Sequence, residues 1–160
     1  MDVVADLSTD ADASTLFAVV ADLGTYAEWL DIVGRVEPAE ADADDPGPAW
    51  LVDLRAQLGP LRRSKRLRMV RTLCEEPSHV RFERRDLDGR SHSDWVLDAT
   101  VTDVLDERDP ESGPAPSPTS TLEMRLHYGG SLWVPMLDRL LADEIRSSRT
   151  RLIALVGSGS

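Results

Sequence analysis

The side chains that could carry nucleophilic, acid–base or metal chemistry are few in this chain. It has three histidines, His79, His92 and His127, and one cysteine, Cys74. A Cys–His or Ser–His catalytic pair, or a zinc site, needs such side chains to converge at one point. A single cysteine supports neither an intramolecular disulfide nor a multi-thiolate metal site, and we expect it to be a small buried hydrophobic residue. The sequence also lacks a glycine-rich phosphate loop and a dinucleotide fingerprint. We therefore expect neither a metal nor a cofactor.

The charge balance argues against nucleic acid as a partner. The 160-residue chain carries 18 basic and 29 acidic residues, a net charge of −11 at pH 7. Such a field repels phosphate backbones, whose contacts supply most non-specific nucleic-acid affinity. The run over residues 62–71 holds six basic residues. We interpret it as a solvated strand face opposite Asp and Glu of neighbouring strands; a patch for an anionic membrane surface or an acidic partner is the alternative.

Stable membrane insertion is not expected. No apolar run approaches the roughly 18 residues of a membrane span. Residues 1–10 carry acidic side chains, where a secretory signal has a basic region followed by an apolar one. A cytoplasmic location is therefore expected, and the bias towards arginine, alanine and aspartate is typical of high-GC bacterial genomes.

Periodicity predicts the elements of the N-terminal part. Alternating apolar residues predict a strand over residues 2–8. Capping oxygens in residues 8–12, followed by apolar residues at helical spacing, predict a helix that ends at Gly24. Residues 25–31 fit a second short helix.

The remaining chain reads as a series of strands and one helix. Six strands are separated by breaks that contain Gly, Pro or Asp: residues 32–41, 49–58, 61–73, 79–87, 91–106 and 120–129. Residues 131–156 fit one long helix. We expect residues 2–156 to form a single domain and residues 157–160 to be a linker-like tail.

Alternation along these strands separates an apolar face from a charged face. The long C-terminal helix is the expected cover of the apolar face. Its apolar stripe consists of Trp133, Leu137, Leu140, Leu141, Leu152 and Leu155. All three histidines alternate with the apolar residues, so we expect them to face solvent. Arg71, Arg84 and Asp103 share the apolar face near strand ends, either at the rim in water or inside a cavity. Glu144 and Ser148 continue the helix stripe, unless the helix is slightly out of phase.

The segment ASTLFAVVADLGTYAEWLDIVGRVE (residues 13–37) combines a helix, an Asp–Leu turn and a Tyr-x-x-Trp pair, Tyr26 and Trp29. With the meander and closing helix, this order resembles the SRPBCC (START/Bet v1-like) superfamily, in particular its polyketide cyclase/dehydrase and lipid-transport branch. The resemblance covers residues 2–156. It implies an α+β helix-grip fold (β-α-α-β6-α), in which a curved antiparallel sheet of about seven strands wraps around the long C-terminal helix and leaves a cavity. That superfamily has no universal catalytic motif to carry over.

The first functional interpretation is binding of a hydrophobic small molecule, lipid-like or polyketide-like, in that cavity. The candidate ligand-binding residues are Tyr26, Trp29, Trp50, Leu54, Met69, Arg71, Phe82, Arg84, Trp95, Leu97, Met124, Leu126, Tyr128, Trp133, Met136, Leu137 and Leu140. Of these, Arg71 or Arg84 would meet a ligand carboxylate through charge-assisted hydrogen bonds.

Two other functions remain open from the sequence. An enzyme of the polyketide cyclase, dehydratase or aromatase type would act by positioning a reactive chain and would handle protons with Tyr128, Asp103 and Glu144. A protein-interaction module with a vestigial pocket is the third, and a cavity packed solid by side chains would favour it. The oligomeric state is left open between monomer and homodimer.

Overall fold

A computed structural model describes residues 1–58, 60–104, 120–130 and 148–157. The elements in chain order are β1 (Asp2–Thr9), α1 (Ala13–Val20), a 3₁₀ helix (Leu23–Glu28), β2 (Val33–Ala39), β3 (Ala49–Leu58), β4 (Leu61–Glu75), β5 (His79–Arg84), β6 (Trp95–Asp103) and β7 (Ser120–Tyr128). Residues 148–157 are also helical, and we refer to them as the C-terminal helix.

The seven strands form one curved antiparallel sheet in the order β1-β7-β6-β5-β4-β3-β2. From β2 to β7 each strand pairs with the next one in sequence, as the short predicted breaks imply. β1 instead pairs with β7, from Asp2 opposite His127 to Thr9 opposite Ser120. Alternate residues of the strands point to one face, where Leu67, Phe82 and Leu122 are buried. This is the concave face, and the helices cover it.

α1 begins as predicted but ends earlier than predicted. Asp12 is its N-cap, and the Asp12 carboxylate accepts a hydrogen bond of 2.7 Å from the Thr15 amide. The helix ends at Val20 rather than at Gly24, because Asp22 starts the 3₁₀ helix. The Asp22 carboxylate accepts a hydrogen bond from the Gly24 amide at 2.8 Å. Gly24 therefore lies inside the second element and does not terminate the first.

The C-terminal helix lies against the concave face along one line of residues. Ser148, Leu152 and Val156 are buried at a spacing of four, which is one face of an α-helix. Arg151 donates hydrogen bonds of 2.6 and 2.7 Å to the carboxylate of Asp31, just beyond the 3₁₀ helix. In the part of the chain that the structure describes, no helix has the length and apolarity to cross a membrane.

A β-bulge in β4 corrects the predicted side of Leu73, and Cys74 just beyond it corrects a second prediction. The register places Arg71 opposite Phe82, but after the bulge Leu73 lies opposite Arg81. One extra residue reverses the side to which each later side chain points. Leu73 therefore points to the convex face and not to the apolar one. Cys74, expected to be buried, is exposed beside the β4–β5 hairpin.

The convex face was expected to be solvated throughout, and Arg68 shows that this is wrong at one place. Its side chain is buried because residues 40–48, here the 40–48 segment, fold back across β4. The guanidinium donates hydrogen bonds to the Asp45 carboxylate at 2.6 Å and to the Glu40 carbonyl at 2.8 Å. Ala49 and Val70, which pair on the same face, are buried as well. Arg66, by contrast, pairs with Asp53 of the neighbouring strand at 2.7 Å and is largely exposed, as expected.

Candidate functional site

A cavity of about 160 Å³ lies between the concave face, the 3₁₀ helix and the C-terminal helix. Six strands contribute side chains to its wall: β1, β7, β6, β4, β3 and β2. In each of them the apolar alternate residues point to the concave face. Apart from Ser148 and the polar atoms of three aromatic residues, the described lining is apolar.

Eight of the predicted ligand-binding residues line this cavity. They are Tyr26, Trp29, Leu54, Met69, Trp95, Leu97, Met124 and Leu126. Trp133, Met136, Leu137 and Leu140 lie outside the described residues, as does Glu144.

Three more predicted residues are buried beside the cavity without lining it. The rings of Trp50 and Phe82 pack edge to face with their centroids 5.7 Å apart. Tyr128 packs against Trp95 at 4.7 Å. These aromatic contacts support the cavity wall from behind.

Nine lining residues were not selected from the sequence as ligand-binding: Val3, Ala5, Leu23, Leu30, Ile32, Val33, Val52, Leu67 and Ser148. Val3 and Ala5 lie on β1, directly opposite Leu126 and Met124 of β7. Strand parity already placed Val52 and Leu67 on the apolar face, so these two could have been selected from the sequence. The pairing of β1 with β7 is a long-range contact that periodicity does not reveal.

Tyr26 anchors the 3₁₀ helix at the cavity wall. Its hydroxyl donates a hydrogen bond of 2.7 Å to the carbonyl of Val20. Its ring lies 4.6 Å from that of Trp29 and 6.2 Å from that of Phe82, measured between centroids. Burial raises the pKa of the Tyr26 phenol well above its ordinary value. Tyr26 is therefore a neutral structural wall residue at physiological pH.

Trp29 and Trp95 both line the cavity, and the buried indole N–H of each has no hydrogen-bond partner among the described residues. Buried donors usually find an acceptor, since an unmade hydrogen bond costs free energy. The two rings are thus the unusual polar feature of this otherwise apolar wall.

The two predicted arginines are held by other parts of the protein. Arg71 donates a hydrogen bond of 3.1 Å to the Ala21 carbonyl at the end of α1. Arg84 forms an ion pair with Asp86. Neither guanidinium lines the cavity. Asp103, proposed for proton transfer, is exposed at the end of β6, which agrees with the rim position and removes it from the cavity.

Lys65 is a cation of the concave face that the sequence analysis did not select. The register places it directly opposite Leu54, a cavity-lining residue. Its side chain is neither fully exposed nor fully buried. Burial lowers the pKa of the Lys65 amine, and the nearby charge of Arg84 lowers it further, while Asp86 acts in the opposite direction. Strand parity could have placed Lys65 on the apolar face, since it alternates with Leu67 and Met69. The basic run over residues 62–71 was instead interpreted as a solvated face.

The histidines lie away from the cavity, each beside an aspartate. His79 contacts Asp98 at 2.7 Å and His127 contacts Asp2 at 2.8 Å. His92 contacts the carboxylate of Asp88 at 2.7 Å. Among residues 1–58, 60–104, 120–130 and 148–157, no three His, Cys, Asp or Glu side chains are grouped as a metal site requires.

A second, larger hollow of about 600 Å³ opens between β1, β7, β6 and the C-terminal helix. Its lining is polar, with hydroxyl and carboxylate side chains such as Thr102, Thr121 and Glu123. Arg149, also in its lining, pairs with Asp6 at 3.1 Å. An open polar hollow offers little desolvation to a ligand, so we consider the smaller apolar cavity the candidate site.

Comparisons with solved structures identify the fold to which this chain belongs. No family model and no curated protein matches this sequence. A START superfamily protein from Mycobacterium smegmatis superposes with a TM-score of 0.69 at 16% identity, covering 99% of both chains. A conserved protein from Geobacillus kaustophilus gives a TM-score of 0.66 at 10% identity, with 99% of this chain and 96% of that chain covered. The di-domain ARO/CYC StfQ from the steffimycin biosynthetic pathway gives 0.63 at 13% identity, over 98% of this chain and 50% of StfQ. At these identities the likeness establishes the fold, and it confirms the resemblance at that level: the chain has the START/Bet v1-like helix-grip fold.

Proposed function

We propose that the protein binds a hydrophobic small molecule in the cavity under the concave face. The observation that carries this proposal is the apolar space of about 160 Å³. Protein interiors leave few voids larger than one water molecule, and one water takes about 30 Å³ in the liquid. A void several times that size forfeits packing contacts and destabilises the fold unless something fills it.

The size of the cavity narrows the class of ligand. Small-molecule sites usually measure about 300–1,000 Å³, so this one fits a short acyl chain or a single ring system better than a long lipid. An apolar ligand of that size would replace the missing contacts with the aliphatic wall. The hydrophobic gain is roughly 25 cal/mol for each Å² of apolar surface removed from water.

Binding is supported better than acid–base catalysis. Tyr26 is the only titratable side chain in the described lining, and its hydroxyl is engaged by the Val20 carbonyl. A cyclase-type reaction needs a proton donor or acceptor within reach of the ligand. A protein-interaction role with a vestigial pocket is also less well supported. That role predicts a cavity filled by side chains, and the described lining residues leave about 160 Å³ unfilled.

The test is uptake of a short-chain apolar ligand by the folded protein. Native mass spectrometry with octanoic acid is expected to show one ligand per chain, and the emission of Trp29 and Trp95 should change on binding. Ala5→Leu adds bulk inside the cavity and should abolish uptake. Val4→Leu, the neighbouring position on the exposed side of β1, is the matched control and should bind normally. Equal uptake by both variants, or no uptake by the wild-type protein, would contradict the proposal.

A further inference from the structure

Lys65, the only lysine in the chain, lies on the face of β4 that forms part of the cavity wall. Leu54 and Leu67 both line the cavity. Lys65 lies directly opposite Leu54 and two residues before Leu67 on β4. Side chains directly opposite one another on antiparallel strands have Cβ atoms about 4.5–5.5 Å apart. The Lys65 side chain therefore leaves the sheet on the same face as the cavity wall, beside two of the wall residues.

The neighbouring charges leave Lys65 without a counter-ion of its own. Arg84 lies opposite Met69 on the same face and is paired with Asp86. The other Asp86 oxygen accepts a hydrogen bond from the Arg68 amide at 3.2 Å. His92 lies 4.0 Å from Asp86 but is held by Asp88.

The net charge of this group of side chains is therefore positive. Two cations, Lys65 and Arg84, share one carboxylate, that of Asp86, which Arg84 already occupies. Within the described residues the Lys65 amine has no hydrogen-bond or ion-pair partner within bonding distance. Lys65 does not itself line the cavity, but it is half-buried on the face that carries the lining residues Leu54 and Leu67. A half-buried ammonium in such a place is well suited to accept one anionic group, because burial strengthens a charge-assisted hydrogen bond.

We propose that Lys65 binds the carboxylate of the ligand whose apolar part fills the cavity, so that the ligand is a carboxylic acid with a short acyl or single-ring body. This inference rests on the proposed function and assigns the chemical class of its ligand. The aliphatic wall holds the apolar body, and the ammonium at its margin fixes the orientation. The assignment replaces Arg71 and Arg84, which the sequence analysis had put in this role.

The first test compares ligands that differ only in the head group. Octanoate, octanol and methyl octanoate have the same apolar body, and only octanoate carries a negative charge. Octanoate is expected to bind at least tenfold more tightly than the two neutral compounds. Equal affinity for all three would overturn the role of Lys65 and leave the cavity function intact. Failure of all three to bind would overturn both.

The second test uses substitutions that remove or keep a single positive charge. Lys65→Met should lower octanoate affinity about tenfold and leave octanol affinity unchanged, and Lys65→Arg should restore most of the loss. Arg62→Met removes the same charge from an exposed position on β4, so it controls for net charge and should not change either affinity. An equal effect of Lys65→Met and Arg62→Met would show that only the overall field matters.

A third readout needs no substitution. Reductive methylation with ¹³C-formaldehyde labels the single lysine and the N-terminus, which gives one lysine signal in an NMR spectrum. That signal should shift on addition of octanoate and stay in place with octanol. A lysine signal that ignores octanoate while the ligand binds would exclude contact with Lys65, even if Lys65→Met proved unable to fold.

Discussion

Arg68 and Asp45 form an ion pair that is closed off from solvent on the convex face. Nη2 of Arg68 lies 2.6 Å from Oδ2 of Asp45, and both side chains are almost fully buried. Asp45 belongs to the 40–48 segment and Arg68 to β4. The pair therefore fastens a connection of the chain onto the outside of the sheet that forms the cavity.

Asp45→Ala is expected to destabilise the protein strongly. It leaves the Arg68 guanidinium buried without its counter-charge, and breaking a buried pair in this way costs about 3 kcal/mol or more. Urea unfolding followed by circular dichroism measures the change.

The exposed pair Arg66–Asp53 is the matched comparison for that experiment. It joins β4 to β3 on the same convex face, with the Arg66 side chain 59% exposed, and exposed pairs contribute less than about 1 kcal/mol. Arg66→Ala should therefore have a small effect. Losses of equal size in the two variants would show that the 40–48 segment does not shield the Arg68–Asp45 pair.

The same pair predicts an acid-sensitive stability. The hydrogen bonds from Arg68 hold the pKa of the Asp45 carboxyl below its ordinary value. A carboxyl whose pKa is lower in the folded state stabilises it above the unfolded pKa of about 3.9 and loses this contribution as the pH falls through the folded value. Unfolding free energy should therefore decline with acidification below about pH 4. Asp45→Asn should show a shallower decline, and an unchanged slope would contradict this assignment.

Tyr26→Phe separates the hydrogen bond from the ring. It removes the bond to the Val20 carbonyl and keeps the contacts with Trp29 and Phe82. The expected loss of stability is about 1–3 kcal/mol, because the Val20 carbonyl stays buried. Affinity for an apolar ligand should stay within about twofold. A large loss of affinity at normal stability would mean that the hydroxyl takes part in binding.

Gly47→Ala should be destabilising for a steric reason. A Cβ at Gly47 would collide with the backbone carbonyl of Arg71, and backbone yields less easily than a flexible side chain. We expect a loss of about 1–3 kcal/mol, measured by thermal or urea unfolding. Gly157→Ala is the control, since a Cβ there meets nothing within 4 Å, and it should be nearly neutral. Equal effects at the two positions would exclude the steric explanation.

Strand parity predicted most of the fold and much of the cavity. The strand at residues 49–58 has the predicted bounds, and alternation alone placed Leu54, Leu97 and Leu126 on the inner face. Such patterns are local, because each depends only on neighbours two residues away. They are readable wherever a strand keeps its register.

The failures occur where the structure depends on distant or irregular contacts. The bulge in β4 reversed the side of Leu73, and no sequence pattern marks the extra residue. The burial of Arg68 depends on a segment that crosses the sheet from 23 residues away. Lys65 was included in the predicted solvated face for a different reason: its parity placed it with the apolar residues, but the five arginines around it made the whole run resemble a solvated face.

The pairing of β1 with β7 has a consequence for how the chain reaches this structure. Val3 and Ala5 form part of the cavity wall, yet their partners are Leu126 and Met124. Contacts between residues so distant in sequence close late, because the entropy of the intervening chain must be lost first. The meander from β2 to β5 can form from neighbouring hairpins, whereas the wall is completed only when the first strand docks on the last. Folding should therefore end with closure of the cavity, and under the proposed function a ligand bound there would stabilise the pairing of β1 with β7.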